Sequence, residues 1–267
     1  MAVDTPFSPW LNLRQAWGKA AMTQTGFDTG RAFKYAATIL KRDGFKILLF
    51  SALFTGLPDA AVTHLSAYVA KPGAGYSDPN AWIMLAVNLL VSMLGAVALQ
   101  AAVSRGALGD LDARRAASED TPFGGLRDCL ALAALGLVTS LGILGGFILL
   151  VVPGIILSLA WMVAVPAMVT ERLGVLDAIR RSNKLTGEQR GTIFGLTVAI
   201  GLAEFVVSWL AQLIANAVGN PIVNEIIGPA TQMLTCVVSA LLAVAIYHEL
   251  RWSKEGTPTE RLAAVFA

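Results

Sequence analysis

The chain has 267 residues, of which 55% are apolar and 14% charged, with a mean hydropathy of +0.64. Soluble domains carry roughly 25% charged residues, so this composition excludes an ordinary soluble fold and points to a membrane protein. The net charge of +2 decides nothing by its size; where the charges fall decides a great deal.

Residues 1–25 contain no apolar core followed by a small-residue cleavage pattern, so no cleavable signal peptide is expected. The first membrane span then serves as the insertion signal. Residues 27–43, FDTGRAFKYAATILKRD, predict an amphipathic helix lying on the membrane surface. Phe33, Ala36, Ala37 and Leu40 recur at helical spacing, and Arg31, Lys34, Lys41 and Arg42 occupy other faces. Next come runs apolar enough to span. A spanning helix needs about 20 apolar residues to cross about 30 Å of hydrocarbon. The first two such runs are 46–69 and 81–103, separated by the Gly/Pro-rich turn AKPGAGYSDPN. From 129 to 169 there is no charge, a length that must fold back on itself. Val152-Pro153-Gly154 is the expected break, giving spans 129–150 and 154–170. Residues 174–186, GVLDAIRRSNKLT, predict a second surface helix with Val175, Ile179 and Leu185 on its apolar side. Spans 192–214 and 226–248 follow. The expected fold is an all-α, polytopic bundle of six transmembrane helices with two interfacial helices. It divides into an N-terminal segment 1–45, a membrane domain 46–250 and a tail 251–267.

With an inside N-terminus, nineteen of the twenty Lys and Arg residues fall on one side, and Lys71 alone falls opposite. The positive-inside rule places that rich side in the cytoplasm. Both termini are therefore expected there, in a bacterial cytoplasmic (inner) membrane.

An ungapped shift of 146 residues lays Ala32 on Ala178, Lys34 on Arg180, Ile39 on Leu185 and Ile47 on Ile193. The unit of surface helix, span, outer turn and span thus recurs at both ends in the same orientation, as a parallel repeat.

Intramembrane ionisable residues usually face a bundle interior. Ser51, Thr55, Asp59 and Thr63 form one polar stripe, and Thr197, Glu204, Ser208 and Gln212 another. Asp59 and Glu204 lie near mid-depth and come within one residue of register under the shift. They are either a polar site between the first and fifth spans or protonated glue between helices. His64, Cys129 and Cys236 read as structural residues, and no metal-ligand spacing is present. Gly145-Gly146 and the glycines of the fifth span read as points of close helix packing. No G-x-S-x-G, H-E-x-x-H or phosphate-binding glycine loop occurs. No enzyme activity and no cofactor are therefore expected.

The stretch PGIILSLAWMVAVPAMVTERLGVLDAIRRSNKLTGEQRGTIFG, from Pro153, resembles the bacterial membrane-domain family attached to some glycerophosphoryl diester phosphodiesterases. Pro153, Gly154, Trp161, Pro166, Glu171, Gly174, Ala178, Arg181, Ser182, Leu185, Thr186, Gly187 and Arg190 carry the likeness, with YHELRWSKEG at 247–256. Ala160 departs from the arginine that family often has before its tryptophan. The resemblance implies a polytopic helical protein without the catalytic barrel, for which this chain has no room. In the motif, Glu171 is placed to pair with Arg180 or Arg181 and latch the second surface helix. Arg180, Arg181 and Lys184 are placed to reach lipid phosphates. The expected function is a non-enzymatic membrane protein engaging lipid or a partner protein through these helices. The alternative is a small transporter or channel using Asp59 and Glu204. Membrane lipids, and a protein partner or a second copy, are the expected partners; nucleic acid is not.

Overall fold

A computed structural model describes residues 27–69, 78–108 and 126–255. The expectations about the N-terminal 25 residues, the outer turn and the far tail lie outside these residues. Every element described is helical. α1 (Thr29–Ser51) passes through a π-helical turn (Ala52–Gly56) into α2 (Leu57–Val69). Then come α3 (Pro79–Leu108), α4 (Leu126–Leu149), α5 (Val151–Trp161), α6 (Ala164–Glu171), α7 (Val175–Thr186), α8 (Arg190–Val218) and α9 (Pro221–Glu255). Six stretches are long and apolar enough to cross a membrane: 29–66, 79–107, 127–149, 151–171, 190–218 and 225–254.

The first difference from expectation is at the start. Residues 27–43 do not form a separate surface helix, because α1 runs unbroken into the first span. Asp28 caps it, its Oδ1 accepting from Gly30 N at 2.8 Å, and no proline interrupts the backbone ladder before Pro58. Its inward face is Ala32, Ile39, Ile47 and Ser51, all buried against α9 and α3, while Phe33 and Leu40 point outward. At the other end, α9 continues to Glu255.

Proline explains the π turn. Pro58 has no N–H for the carbonyl of Phe54, four residues back. The turn widens, and Leu57 N reaches Ala52 O, five residues back. The displaced Phe54 carbonyl presses on Gly95 of α3, where an added Cβ would sit 2.1 Å from it.

The hairpin between the third and fourth spans turns at Leu150, whose backbone is extended (φ −163, ψ 147). Val152-Pro153-Gly154 lies inside the first turn of α5 instead of at the break, a position where a missing N–H costs nothing. The two helices close on small residues. A Cβ on Gly142 would stand 2.3 Å from the Trp161 ring, and one on Gly146 3.0 Å from the Gly154 backbone. The glycines expected to pack most closely divide. Gly146 does so; Gly145 and the fifth-span Gly195 and Gly201 meet nothing within 4 Å.

α8 ends where Gly219 turns left-handed (φ 67), donating to Ala215 O, and Pro221 starts α9. The half of α9 from Cys236 to Leu250 is the centre of the molecule. Val244, Ile246, Tyr247 and Leu250 are fully buried, in one core with Leu99, Val163, Leu185 and Ile193. Outward faces are apolar instead of charged: Leu144, Ile148, Leu202, Phe205, Trp209 and Leu213 are all exposed. An exposed apolar band of this extent is what a lipid-facing bundle presents.

Burial follows the 146-residue repeat. Ala32 and Ala178 are both buried, as are Ile39 and Leu185, and Ile47 and Ile193. Lys34 and Arg180 are both exposed. The units differ in continuity: α1 has no break where Gly187-Glu188-Gln189 separates α7 from α8.

Candidate functional site

Two polar regions emerge, one at the Lys/Arg-rich end and one inside the membrane. The first is assembled around α7. The fourth span breaks at Met162-Val163, between α5 and α6, and Pro166 makes the break. Without an N–H at Pro166, the Met162 carbonyl loses its donor four residues on. Gln100 Nε2 of α3 donates to it instead, at 3.4 Å. Ser182 Oγ of α7 donates to Ala160 O at 2.7 Å, and Thr186 Oγ1 reaches the same oxygen at 3.5 Å. Buried carbonyls must find donors, and here they find them on neighbouring helices. α7 is thereby held with Ala178, Ser182, Leu185 and Thr186 buried in protein.

The expected latch is present with one partner settled. Arg181 Nε donates to Glu171 Oε1 and Oε2, both at 2.9 Å, and Tyr247 OH donates to Oε1 at 2.9 Å. Three helices, α6, α7 and α9, meet on one carboxylate. Arg180 points away, its side chain 77% exposed and 3.3 Å from Asp177. Lys184 is exposed too, while its carbonyl accepts from Lys254 Nζ at 3.0 Å. Of the three expected lipid-contacting cations, two are therefore on the outer face and Arg181 is committed to Glu171. The chain bends between α6 and α7 at Arg172, the one described non-glycine residue with positive φ (52), and Leu173 N returns to Met168 O.

A second carboxylate does for α1 what Glu171 does for α7. Glu249, 2% exposed, accepts from Arg31 Nη2 at 2.6 Å and from the backbone N of Asp28 at 3.1 Å. Sequence reading missed this pair and Gln100, and it marked Tyr247 and Ser182 only as positions of the family likeness, not as partners of Glu171 and Ala160. The one available signal was Pro166, whose absent N–H announces an orphan carbonyl at Met162.

Inside the membrane, α2 and α8 both pack on α9. Asp59 is half-buried, and Ser92 of α3 donates to Asn88 Oδ1 at 3.0 Å. Glu204 is half-buried, and its Oε1 is buried with no hydrogen-bond partner among the described residues. The stripes are not uniform. Ser51 and Thr55 are buried and bonded to each other at 3.1 Å, whereas Thr63 and Gln212 are exposed. No group of three potential metal ligands occurs among the described residues.

The geometry defines an integral, multi-pass membrane protein of six helical spans. Over 141 residues the chain is 32% identical to a UPF0259 membrane protein of Pectobacterium carotovorum, covering 51% of this chain and 50% of that one. It thus spans about half the length of the curated relative it matches. No family model and no solved structure matches. The comparison supports kinship with a membrane protein family. It does not support the glycerophosphoryl diester phosphodiesterase membrane domain that the motif from Pro153 resembles.

Proposed function

We propose that this is a non-enzymatic protein of the bacterial inner membrane, with its Lys/Arg-rich end in the cytoplasm, that engages anionic lipid through the outer face of α7. The observation that supports it is the division of labour on that helix. Its inner face is fastened by Ser182, Leu185, Thr186 and the Arg181–Glu171 bridge, while Arg180 and Lys184 stay outward beside exposed Leu176. Fastening removes the entropy cost of presenting two cations together. Each cation near an anionic surface contributes about 1 kcal/mol. The test places a fluorophore at Leu176→Cys in a Cys129→Ser background, in lipid nanodiscs. Anionic lipid should shield it from an aqueous quencher, salt should reverse the shielding, and Arg180→Gln with Lys184→Gln should remove it. Equal quenching in anionic and zwitterionic discs would reject the reading.

A small transporter or channel is the second reading, favoured by the π turn, the broken fourth span and the two half-buried acids on helices that both pack on α9. A water-filled path there should let a membrane-impermeant thiol reagent modify Cys236 once Cys129 is replaced by serine. Protection of Cys236 from that reagent counts against a path.

A further inference from the structure

A groove of about 560 Å³ runs between α1 and α3 at the Lys/Arg-rich end, within the about 300–1,000 Å³ usual for small-ligand clefts. Its lining is segregated. Ile47, Phe50, Ala102 and Val103 form an apolar floor that leads into the first two spans. Arg42, Asp43 and Lys46 form a charged rim. Within the rim, the side chain of Asp43 is 18% exposed, and those of Arg42 and Lys46 are 47% and 73% exposed. Arg42 Nε meets Asp43 at 2.6 Å and Lys46 Nζ meets it at 3.0 Å. Arg42 is further steadied by donating from Nη2 to the Gly106 carbonyl at 2.8 Å. One carboxylate beneath two cations leaves the rim net positive and holds both cations at one place.

We propose that this groove binds one anionic phospholipid, its phosphate at Arg42 and Lys46 and an acyl chain along Ile47, Phe50, Ala102 and Val103. Charge and apolar surface are arranged in the order in which an anionic headgroup and its chain enter a bilayer. A phosphate forms charge-assisted hydrogen bonds with guanidinium and ammonium donors together. Asp43 supplies selectivity by repelling a second anion and by fixing the spacing of the two cations. The proposal deepens the lipid-engaging reading with a ligand class and a second place, and rests on it for the orientation of the basic end toward a headgroup layer.

The test is native mass spectrometry of the full chain, released from detergent with phosphatidylglycerol or phosphatidylcholine added. The expected result is one retained phosphatidylglycerol per chain, in preference to phosphatidylcholine. Arg42→Gln with Lys46→Gln should weaken retention about ten-fold, the scale set by losing charge-assisted hydrogen bonds. Ala102→Trp, which fills the floor and leaves the rim intact, should weaken both lipids. The rim variant is also compared in an Arg180→Gln, Lys184→Gln background, where α7 can hold no lipid phosphate, so failure of the α7 reading and failure of the groove are told apart. Equal retention of the two lipids by the wild type overturns the proposal, as does unchanged retention in the rim variant. A stable dimer that excludes lipid overturns it in favour of a second copy in the groove. If Ala102→Trp loses helical circular dichroism, the rim variant, altered at partly exposed side chains, decides.

Discussion

Arg181 holds Glu171 by both carboxylate oxygens at 2.9 Å, while the buried Tyr247 hydroxyl donates to one of the same oxygens at 2.9 Å. One carboxylate on α6 thus ties α7 to α9. Hydrogen bonds to charged groups contribute about 1.5–3 kcal/mol each. Glu171→Ala should therefore lower stability by about 2–3 kcal/mol, because it strands Arg181 and the Tyr247 hydroxyl together. Tyr247→Phe should cost less, about 1 kcal/mol, since Arg181 still satisfies the acid. Unfolding titrations in mixed micelles read both. A double-mutant cycle between Glu171→Gln and Arg181→Gln should give a coupling of about 1 kcal/mol or more, and a coupling near zero would show that the contact contributes nothing.

The break in the fourth span makes its own prediction. Gln100→Leu removes the donor to the Met162 carbonyl and should destabilise by about 1 kcal/mol. In a Pro166→Ala background the helix regains an N–H four residues on, and the same change should cost less. An identical cost in both backgrounds would mean that Gln100 does not substitute for the missing backbone donor.

Neighbouring glycines of α4 should respond in opposite ways. Gly146→Ala puts a methyl 3.0 Å from the Gly154 backbone and from Leu157 Cδ1, an overpacking that costs about 1–3 kcal/mol. Gly145→Ala meets nothing within 4 Å and should be neutral or stabilising by up to about 1 kcal/mol from helix propensity. Melting curves of the two variants, side by side, decide whether the hairpin closes where the structure places it.

Orientation is testable by single-cysteine labelling in intact cells, with Cys129 and Cys236 replaced by serine. Position 75 should react with an impermeant reagent from outside, and positions 115, 184 and 258 should be protected until the membrane is opened. The expectation rests on nineteen of twenty cations falling on one side. Outside labelling at 115 would remove the six-span topology.

Several features were legible without coordinates because they depend on local physics. Span length and number follow from the unbroken apolar runs, since a backbone crossing hydrocarbon must satisfy itself in a helix. The latch at Glu171 was legible because Arg180 and Arg181 follow it closely across a short turn. Helical period put Leu185 on the apolar side of α7, but not the burial of Ala178, Ser182 and Thr186 beside it in protein. Long-range relationships were not legible. Glu249 meets Arg31 from 218 residues away, and Tyr247 meets Glu171 from 76 residues away; no local pattern marks such partners. Which glycines pack depends on which face meets a neighbour, so adjacent Gly145 and Gly146 differ completely. Whether Phe33 or Ala32 of α1 turned inward was set by the docking of α9, because a membrane offers lipid to one apolar face and protein to another at nearly equal cost. Composition and period decided that six helices form and where they run. Tertiary packing decided which carbonyls each proline orphans, which side chains answer them and which cations remain at the surface.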